Sequence, residues 1–302
     1  MASALIAIVV VLVLGHAAPA FAAAVRDHAW FGRWLQWLGA RFPDGSAWRG
    51  PWGIALALAP VVLLVLLFQL ALQQPLLGLA GLLFSIAVLF YSWGPRDLDA
   101  DVEAILAAPD APARSEAAAR LSPDPLQAVT GPSALVTAVF HEARRRWFGV
   151  LFWFLLLGPC GALLYRLAAV AATGDGRPWL PAATATGAQR LLSVLDWPVA
   201  QCMTLAMALV GDFDTVIAAW KSRGGAAFDL DADFLGAAGR ASVRAEVAEE
   251  ARDYVEEGVA MAELDAQLGE MPELRDAMSL AWRILLLWLA ILALLVLAGW
   301  VA

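Results

Sequence analysis

The stretch Asp-Leu-Asp-Ala-Asp occurs twice in this chain, at residues 97–101 and 229–233. Three acidic side chains at alternate positions are typical of the start of a calcium loop, and aspartate pairs also hold Mg²⁺ on phosphates. A calcium loop further requires glycine at its sixth position and glutamate at its twelfth. The first copy has Val102 and Ala108 there, and the second copy lacks both residues as well. Neither stretch is therefore an EF-hand.

The repeated aspartates have two interpretations. Acidic residues favour the positive N-terminal end of a helix, so each copy is expected to begin a helix and to bind no metal. In the alternative, carboxylates of both copies converge and hold a hard cation beside a nucleotide. The candidate ligands would then be Asp97, Asp99, Asp101, Asp229, Asp231 and Asp233. The first interpretation is the one that the sequence favours.

Other residues with chemical potential lie at or inside apolar segments. His141 and Glu142 precede an arginine triplet and are the catalytic candidates of this chain. Arg166 and Asp196 are ionisable residues within apolar segments, where a charge is costly and often functional. We expect them to form an ion pair between neighbouring helices, with a structural rather than a catalytic role. No G-x-x-x-x-G-K-[ST] phosphate loop is present.

Composition indicates that these residues belong to an integral membrane protein. The chain is 61% hydrophobic and 16% charged, whereas soluble domains are roughly 45–50% apolar and about 25% charged. A net charge of −8 argues against a nucleic-acid partner, which needs a basic face. Runs long enough to span a bilayer occur at about 1–22, 54–72, 76–93, 150–172, 193–211 and 284–302.

The distribution of basic residues predicts the orientation of these six runs. If all six cross the membrane, loops 23–53, 94–149 and 212–283 lie on one side and hold 17 of the 20 Lys and Arg residues. Cytoplasmic loops collect Lys and Arg, so those three loops are expected in the cytoplasm. Residues 173–190 and both termini are then expected in the periplasm.

Helical periodicity without strand alternation predicts an all-α, polytopic transmembrane protein with two cytoplasmic helical regions. Proline positions predict short helices at about 98–107, 113–121 and 133–148. An amphipathic, acidic helix is expected around residues 243–268. The predicted regions are N-terminal transmembrane helices (1–94), a cytoplasmic helical region (95–148), a transmembrane helical pair (149–211), a cytoplasmic acidic region (212–282) and a C-terminal transmembrane helix (283–302).

Two stretches carry a resemblance to a known family. The stretches "WFGVLFWFLLLGPCGALLYRL" (147–167) and "LLSVLDWPVAQCMTLAMALVGDFDTVIAAW" (191–220), with "YSWGPRDLDADVEAIL" (91–106), resemble the AmpE family. These are inner-membrane proteins of Gram-negative bacteria associated with regulation of β-lactamase induction. The residues that match the family motif are Trp153, Gly158, Pro159, Gly161, Tyr165, Arg166, Leu195, Asp196, Trp197 and Gly211.

The resemblance implies an inner-membrane regulatory or signalling protein that couples cell-wall state to β-lactamase induction without a cofactor. The implied partners are the lipid bilayer and another membrane or cell-wall-recycling protein, with no nucleic acid. The AmpE family is in turn similar to the CobD/CbiB membrane synthases of the cobalamin pathway, which use ATP and Mg²⁺. The alternative is therefore a divergent synthase or nucleotide-dependent transferase with a cytoplasmic active site near Glu142. Most of the polar residues that those synthases carry after this position are missing here, so a regulator is expected rather than an enzyme.

Overall fold

The computed structural model describes residues 2–43, 45–72, 78–94, 96–122, 131–173, 176–227, 230–259 and 267–299, and within these ranges the fold is all-α, as predicted. Short 3-10 turns occupy Ala47–Arg49 and Arg177–Trp179, and a π-helical turn occupies Arg144–Phe148. The helices are α1 (Ala2–Ala17), α2 (Pro19–Val25), α3 (Ala29–Arg41), α4 (Gly53–Leu72), α5 (Gly78–Ser92), α6 (Leu98–Leu106), α7 (Ala111–Ala119), α8 (Pro132–Ala143), α9 (Gly149–Leu157), α10 (Pro159–Ala172), α11 (Ala182–Val210), α12 (Phe213–Ser222), α13 (Asp233–Glu256) and α14 (Pro272–Leu297).

The helices form two compact units with opposite charge. Unit 1 comprises residues 1–96, 145–196 and 292–302, and unit 2 comprises residues 97–144 and 197–291. Unit 1 contains ten arginines and four acidic residues, a net charge of +6, whereas unit 2 contains ten basic and twenty-four acidic residues, a net charge of −14. The overall charge of −8 therefore conceals a basic unit that carries most of the apolar runs.

Three described helices, α4, α11 and α14, are long and apolar enough to cross a membrane. The first predicted run is broken, because α1 ends at Ala17 and the chain bends by 114° before it continues towards α3. Helix α5 and helix α10 are apolar but shorter. Both α11 and α14 begin more than ten residues before the predicted start of their apolar runs. Apolarity alone does not mark the start of a helix whose first turns lie outside its apolar run.

The prediction of a single helix through residues 150–172 is wrong, because α9 and α10 form a helical hairpin. Gly158 between them has φ 72° and ψ −157°, a backbone conformation essentially restricted to glycine. Pro159 then occupies the first turn of α10, where its missing N–H costs nothing. A methyl group added to Gly161 would overlap the carbonyl oxygen of Trp153, so the two helices run back side by side.

Helix α4 holds the tip of this hairpin. The Gln69 side chain donates from Nε2 to the Leu157 carbonyl oxygen (3.1 Å) and accepts from the Cys160 backbone N–H (3.0 Å). Along the hairpin, α10 packs on both α4 and α5. At its base, the Tyr165 ring lies directly over Gly149, which has no side chain to obstruct it. Small residues at these positions allow the close helix contacts that association within a membrane requires.

Because of the hairpin, the segment before α4 and the segment before α11 lie on the same side and contact each other. The Thr184 hydroxyl, near the start of α11, donates to the Trp48 carbonyl oxygen. Trp179 lies against Gly32, and α3 packs on the 3-10 turn Arg177–Trp179. Residues 23–53 and 176–190 are therefore in contact, and the prediction that a membrane separates them is wrong. A hairpin returns the chain to the side from which it entered, whereas the prediction treated the same residues as one crossing.

Unit 2 contains the helices predicted from the proline positions, and α6, α7 and α8 lie within a few residues of their predicted bounds. Helix α13 packs on α8 and α12. Gly239 provides close contact with the Phe140 ring, and Arg240 donates to the Thr137 hydroxyl. The predicted acidic helix is wrong in its bounds, because α13 begins at Asp233 and ends at Glu256, and Gly258 just beyond it has a positive φ of 95°. Glu249 is exposed on α13, whereas Glu246 is partly buried. Met261 and Leu264, which the predicted helix includes, lie outside the described residues.

Candidate functional site

The first aspartate repeat begins a helix, as predicted. Asp97 caps α6, and its carboxylate accepts a hydrogen bond from the Asp99 backbone N–H (3.1 Å). The Asp99 carboxylate accepts a further hydrogen bond from the Trp282 indole N–H (2.8 Å). Asp101, one turn into the helix, is buried. These contacts give Asp97 and Asp99 structural partners within unit 2.

The second aspartate repeat also lies at a helix start. Helix α13 begins at Asp233, whose backbone N–H donates to the Asp231 carboxylate (3.2 Å). Partial burial, followed by the charge of Asp231 and the hydrogen bond to it, raises the pKa of the Asp233 carboxyl. Asp229 lies outside the described residues. The described part of this repeat therefore lies at the start of a helix, as predicted.

The described residues do not assemble the alternative cation site. Among them, no three His, Cys, Asp or Glu side chains are arranged so that they could hold a metal ion. Of the two catalytic candidates, Glu142 is buried in α8 and His141 lies close to Gly236 of α13. A catalytic role for this pair stays a prediction.

Several residues that carry the resemblance to the AmpE family build the hairpin and attach it to α11. The Trp153 indole donates to the Leu195 carbonyl oxygen (3.1 Å), and the Tyr165 hydroxyl donates to the Asp196 carboxyl group (2.7 Å). Leu195, Asp196 and Tyr165 are all buried. Gly158 forms the turn of the hairpin. Together these residues shape the hairpin and attach it to α11.

The remaining motif residues, Trp197 and Gly211, belong to unit 2. Gly211 follows the end of α11, and a Cβ atom added to it would lie 2.6 Å from the Ser242 hydroxyl oxygen. A close approach of α11 and α13 therefore explains a glycine at this position.

Arg166 lies at the base of the hairpin, beside Arg145 and Arg146. Its guanidinium donates to the carbonyl oxygens of Ser92 (2.6 Å), Arg145 (3.2 Å) and Arg146 (3.5 Å). The Asp196 carboxyl group accepts a hydrogen bond from the neighbouring Tyr165 hydroxyl. The direct ion pair between Arg166 and Asp196 stays a prediction.

Two buried arginines bind the carboxyl-terminal end of α5. Arg26 donates to the carbonyl oxygens of Phe90 (3.2 Å) and Gly94 (3.2 Å), and its guanidinium lies 4.7 Å from the centre of the Phe90 ring. Arg166 binds the Ser92 carbonyl oxygen of the same helix end. The last carbonyl groups of a helix lack partners and carry partial negative charge. The arginines satisfy these groups.

These two arginines line a cavity of about 580 Å³ within unit 1. The cavity opens at the start of α3, whose first turn contributes partial positive charge from its backbone N–H groups. Its charged and aromatic lining residues are Arg26, Asp27, His28, Arg33, Arg166 and Trp179. Three guanidinium groups against one carboxylate give the lining a net charge of +2 with a neutral imidazole. A cavity with this lining favours an anion.

His28, Tyr91 and Trp30 form an aromatic cluster beside the cavity. The His28 ring lies 4.8 Å from the Tyr91 ring, and the Trp30 indole donates to the Tyr91 hydroxyl. The Asp27 carboxylate accepts from the Ala29 backbone N–H (2.8 Å), which fixes the turn between α2 and α3. Within the described residues, the buried Nε2 atom of His28 has no hydrogen-bond partner.

Sequence reasoning missed this cavity, because it used the arginines only as evidence of orientation. The stretch "RDHAWFGR" (26–33) concentrates two arginines, an aspartate and a histidine within eight residues. This concentration of ionisable residues is the sequence signal that could have identified the cavity. Its third arginine, Arg166, lies 140 residues from Arg26 in the sequence, and no spacing rule connects them.

Comparisons with known proteins leave the function to be argued from this geometry. No protein-family model matches the chain, and no curated protein or solved structure is significantly similar to it.

Proposed function

We propose that this protein is a polytopic inner-membrane protein with a re-entrant hairpin. Helix α9 continues directly from the π-helical turn Arg144–Phe148 and ends at the turn of Gly158. The chain reverses there after about 13.5 Å of α9, roughly half of a 30 Å hydrocarbon core, so this segment does not cross. Leu156 and Leu157 at its tip are exposed, as expected for side chains that face lipid. The hairpin thus enters the membrane and returns to the same side.

The arginines support a cytoplasmic location for the base of the hairpin. Arg26, Arg145, Arg146 and Arg166 gather around the carboxyl-terminal end of α5. Basic residues accumulate on the cytoplasmic side of inner-membrane proteins. Helix α1 ends at this same face, since Gly15 lies close to Arg26, so its start faces the periplasm.

The hairpin also affects the assignment of α11. If α11 crossed the membrane after a re-entrant hairpin, the seven Lys and Arg residues of 212–283 would be exported. We therefore assign the crossings to α1, α4, α5 and α14, and both polar regions (95–148 and 212–282) to the cytoplasm. This arrangement puts all 20 Lys and Arg residues on the cytoplasmic side and both termini in the periplasm.

The arginine-lined cavity at the cytoplasmic face supports a ligand-sensing, regulatory function. It is the single observation that carries this proposal, because its charged residues come from separate segments of unit 1 and surround a space large enough for a metabolite. A regulator needs a site that binds its ligand without reacting with it, and the positive charges of the arginines attract an anionic ligand. The connection to cell-wall state and β-lactamase induction rests on the resemblance to the AmpE family.

Gene deletion tests this proposal. In a bacterium with an inducible chromosomal β-lactamase, deletion should change the ratio of induced to basal β-lactamase activity, and the wild-type gene should restore it. Arg33→Gln should fail to restore the ratio at equal protein level, because Arg33 lines the cavity. Arg41→Gln, in the last turn of the same helix, is the matched control and should restore it. An unchanged ratio after deletion would refute the regulatory function.

A further inference from the structure

We propose that the arginine-lined cavity binds a dianionic phosphate monoester attached to an organic group. This inference rests on the ligand-sensing function proposed above, because it names the chemical class of the ligand. Phosphate oxygens match the planar donor arrangement of guanidinium groups, which bind them in pairs. A dianion also neutralises the net charge of +2 that the lining carries.

Two of the three guanidinium groups are held in place before any ligand arrives. Arg26 and Arg166 are only 6% and 4% exposed, and backbone carbonyl oxygens fix both side chains. Their positions therefore require little reorganisation on binding, which lowers the entropic cost of association.

Arg33 supplies the adaptable contact. It lies one turn into α3, is exposed, and within the described residues has no hydrogen-bond or ion-pair partner. Its guanidinium can therefore close on an anion without breaking an existing interaction.

The size and lining of the cavity indicate that the phosphate is part of a larger molecule. A volume of about 580 Å³ lies within the roughly 300–1,000 Å³ of typical small-molecule sites. Trp179 and Val170 provide apolar lining beside the arginines, and Trp179 is 46% exposed. An indole face suits a sugar ring, an aromatic ring or the glycerol region of a lipid. The same chemistry therefore occurs in a soluble phosphorylated metabolite and in a phosphatidic acid headgroup.

Calorimetry of the full-length protein in phosphatidylcholine nanodiscs, with phenyl phosphate as the probe, tests this inference. We expect saturable binding, with phenol at equal concentration showing none. Arg33→Gln should weaken binding about 10- to 100-fold, the usual effect of removing one charged hydrogen-bonding group. Arg41→Gln should leave the dissociation constant unchanged, since that residue does not line the cavity.

A second set of nanodiscs, in which one-tenth of the lipid is phosphatidic acid, distinguishes a lipid headgroup from a soluble phosphate compound as the ligand. If phosphatidic acid competes with phenyl phosphate in the wild type, the site takes a lipid headgroup, and if it does not compete, the site takes a soluble compound. If phenyl phosphate does not bind and phosphatidic acid does, native mass spectrometry should show lipid retention that Arg33→Gln removes. Binding of neither probe, or equal losses in Arg33→Gln and Arg41→Gln, would overturn the inference. A normal deletion phenotype with intact phosphate binding would instead refute the regulatory function alone.

Discussion

Replacing Gly158 at the hairpin tip with alanine should destabilise unit 1 more than any comparable change at an unconstrained glycine. The φ and ψ angles of Gly158 are essentially restricted to glycine, and other residues there cost about 1–3 kcal/mol. An added Cβ would also lie 2.8 Å from Gln69 Nε2. Displacement of Gln69 would weaken two hydrogen bonds worth about 0.5–1.5 kcal/mol each. The expected loss is therefore about 2–6 kcal/mol.

The measurement is the free energy of unfolding in mixed detergent micelles, followed by tryptophan fluorescence. Gly78→Ala is the control, because a Cβ atom there meets nothing within 4 Å and the backbone is helical. In a Gln69→Leu background, Gly158→Ala should cost only the backbone part, since the two hydrogen bonds are already absent. If Gly158→Ala and Gly78→Ala cost the same, then the hairpin does not require this backbone conformation and the reasoning fails.

Three further changes test other parts of the structure. Tyr165→Phe should lower the free energy of unfolding by about 1–3 kcal/mol, because the buried Asp196 carboxyl loses a hydrogen-bond donor; no change would show that the hydroxyl is replaceable. Asp233 has a raised pKa in the folded protein, so its contribution to stability falls as pH rises from about 3.8 through that pKa. Asp233→Asn should flatten this decline in unfolding measured between pH 4 and 7, and an unaltered slope would contradict the assignment. In a cysteine-free background, Ala47→Cys and Ala183→Cys, both at exposed positions, should react with an impermeant maleimide from the same side of the membrane, whereas labelling from opposite sides would refute the hairpin.

Helix content and helix starts were predictable because both depend on nearby residues. An aspartate such as Asp97 can cap only the helix that begins beside it, and proline positions limit the bounds of α6, α7 and α8. Apolar length predicted α4, α5 and α14 for the same reason. These features need no knowledge of what packs against them.

The sequence by itself also determined that the arginines collect around a few segments, but only the tertiary structure decided where those segments meet. Two apolar helices of nine and fourteen residues have the same composition as one membrane span, so composition cannot distinguish a hairpin from a single crossing. The turn at Gly158 depends on its contacts with Gln69 and on the fit of Gly161 against Trp153. The cavity joins Arg26 and Arg166 across 140 residues of sequence because both bind the end of α5. Such contacts between distant residues form only when the helices pack, and packing decides which face of each helix is available.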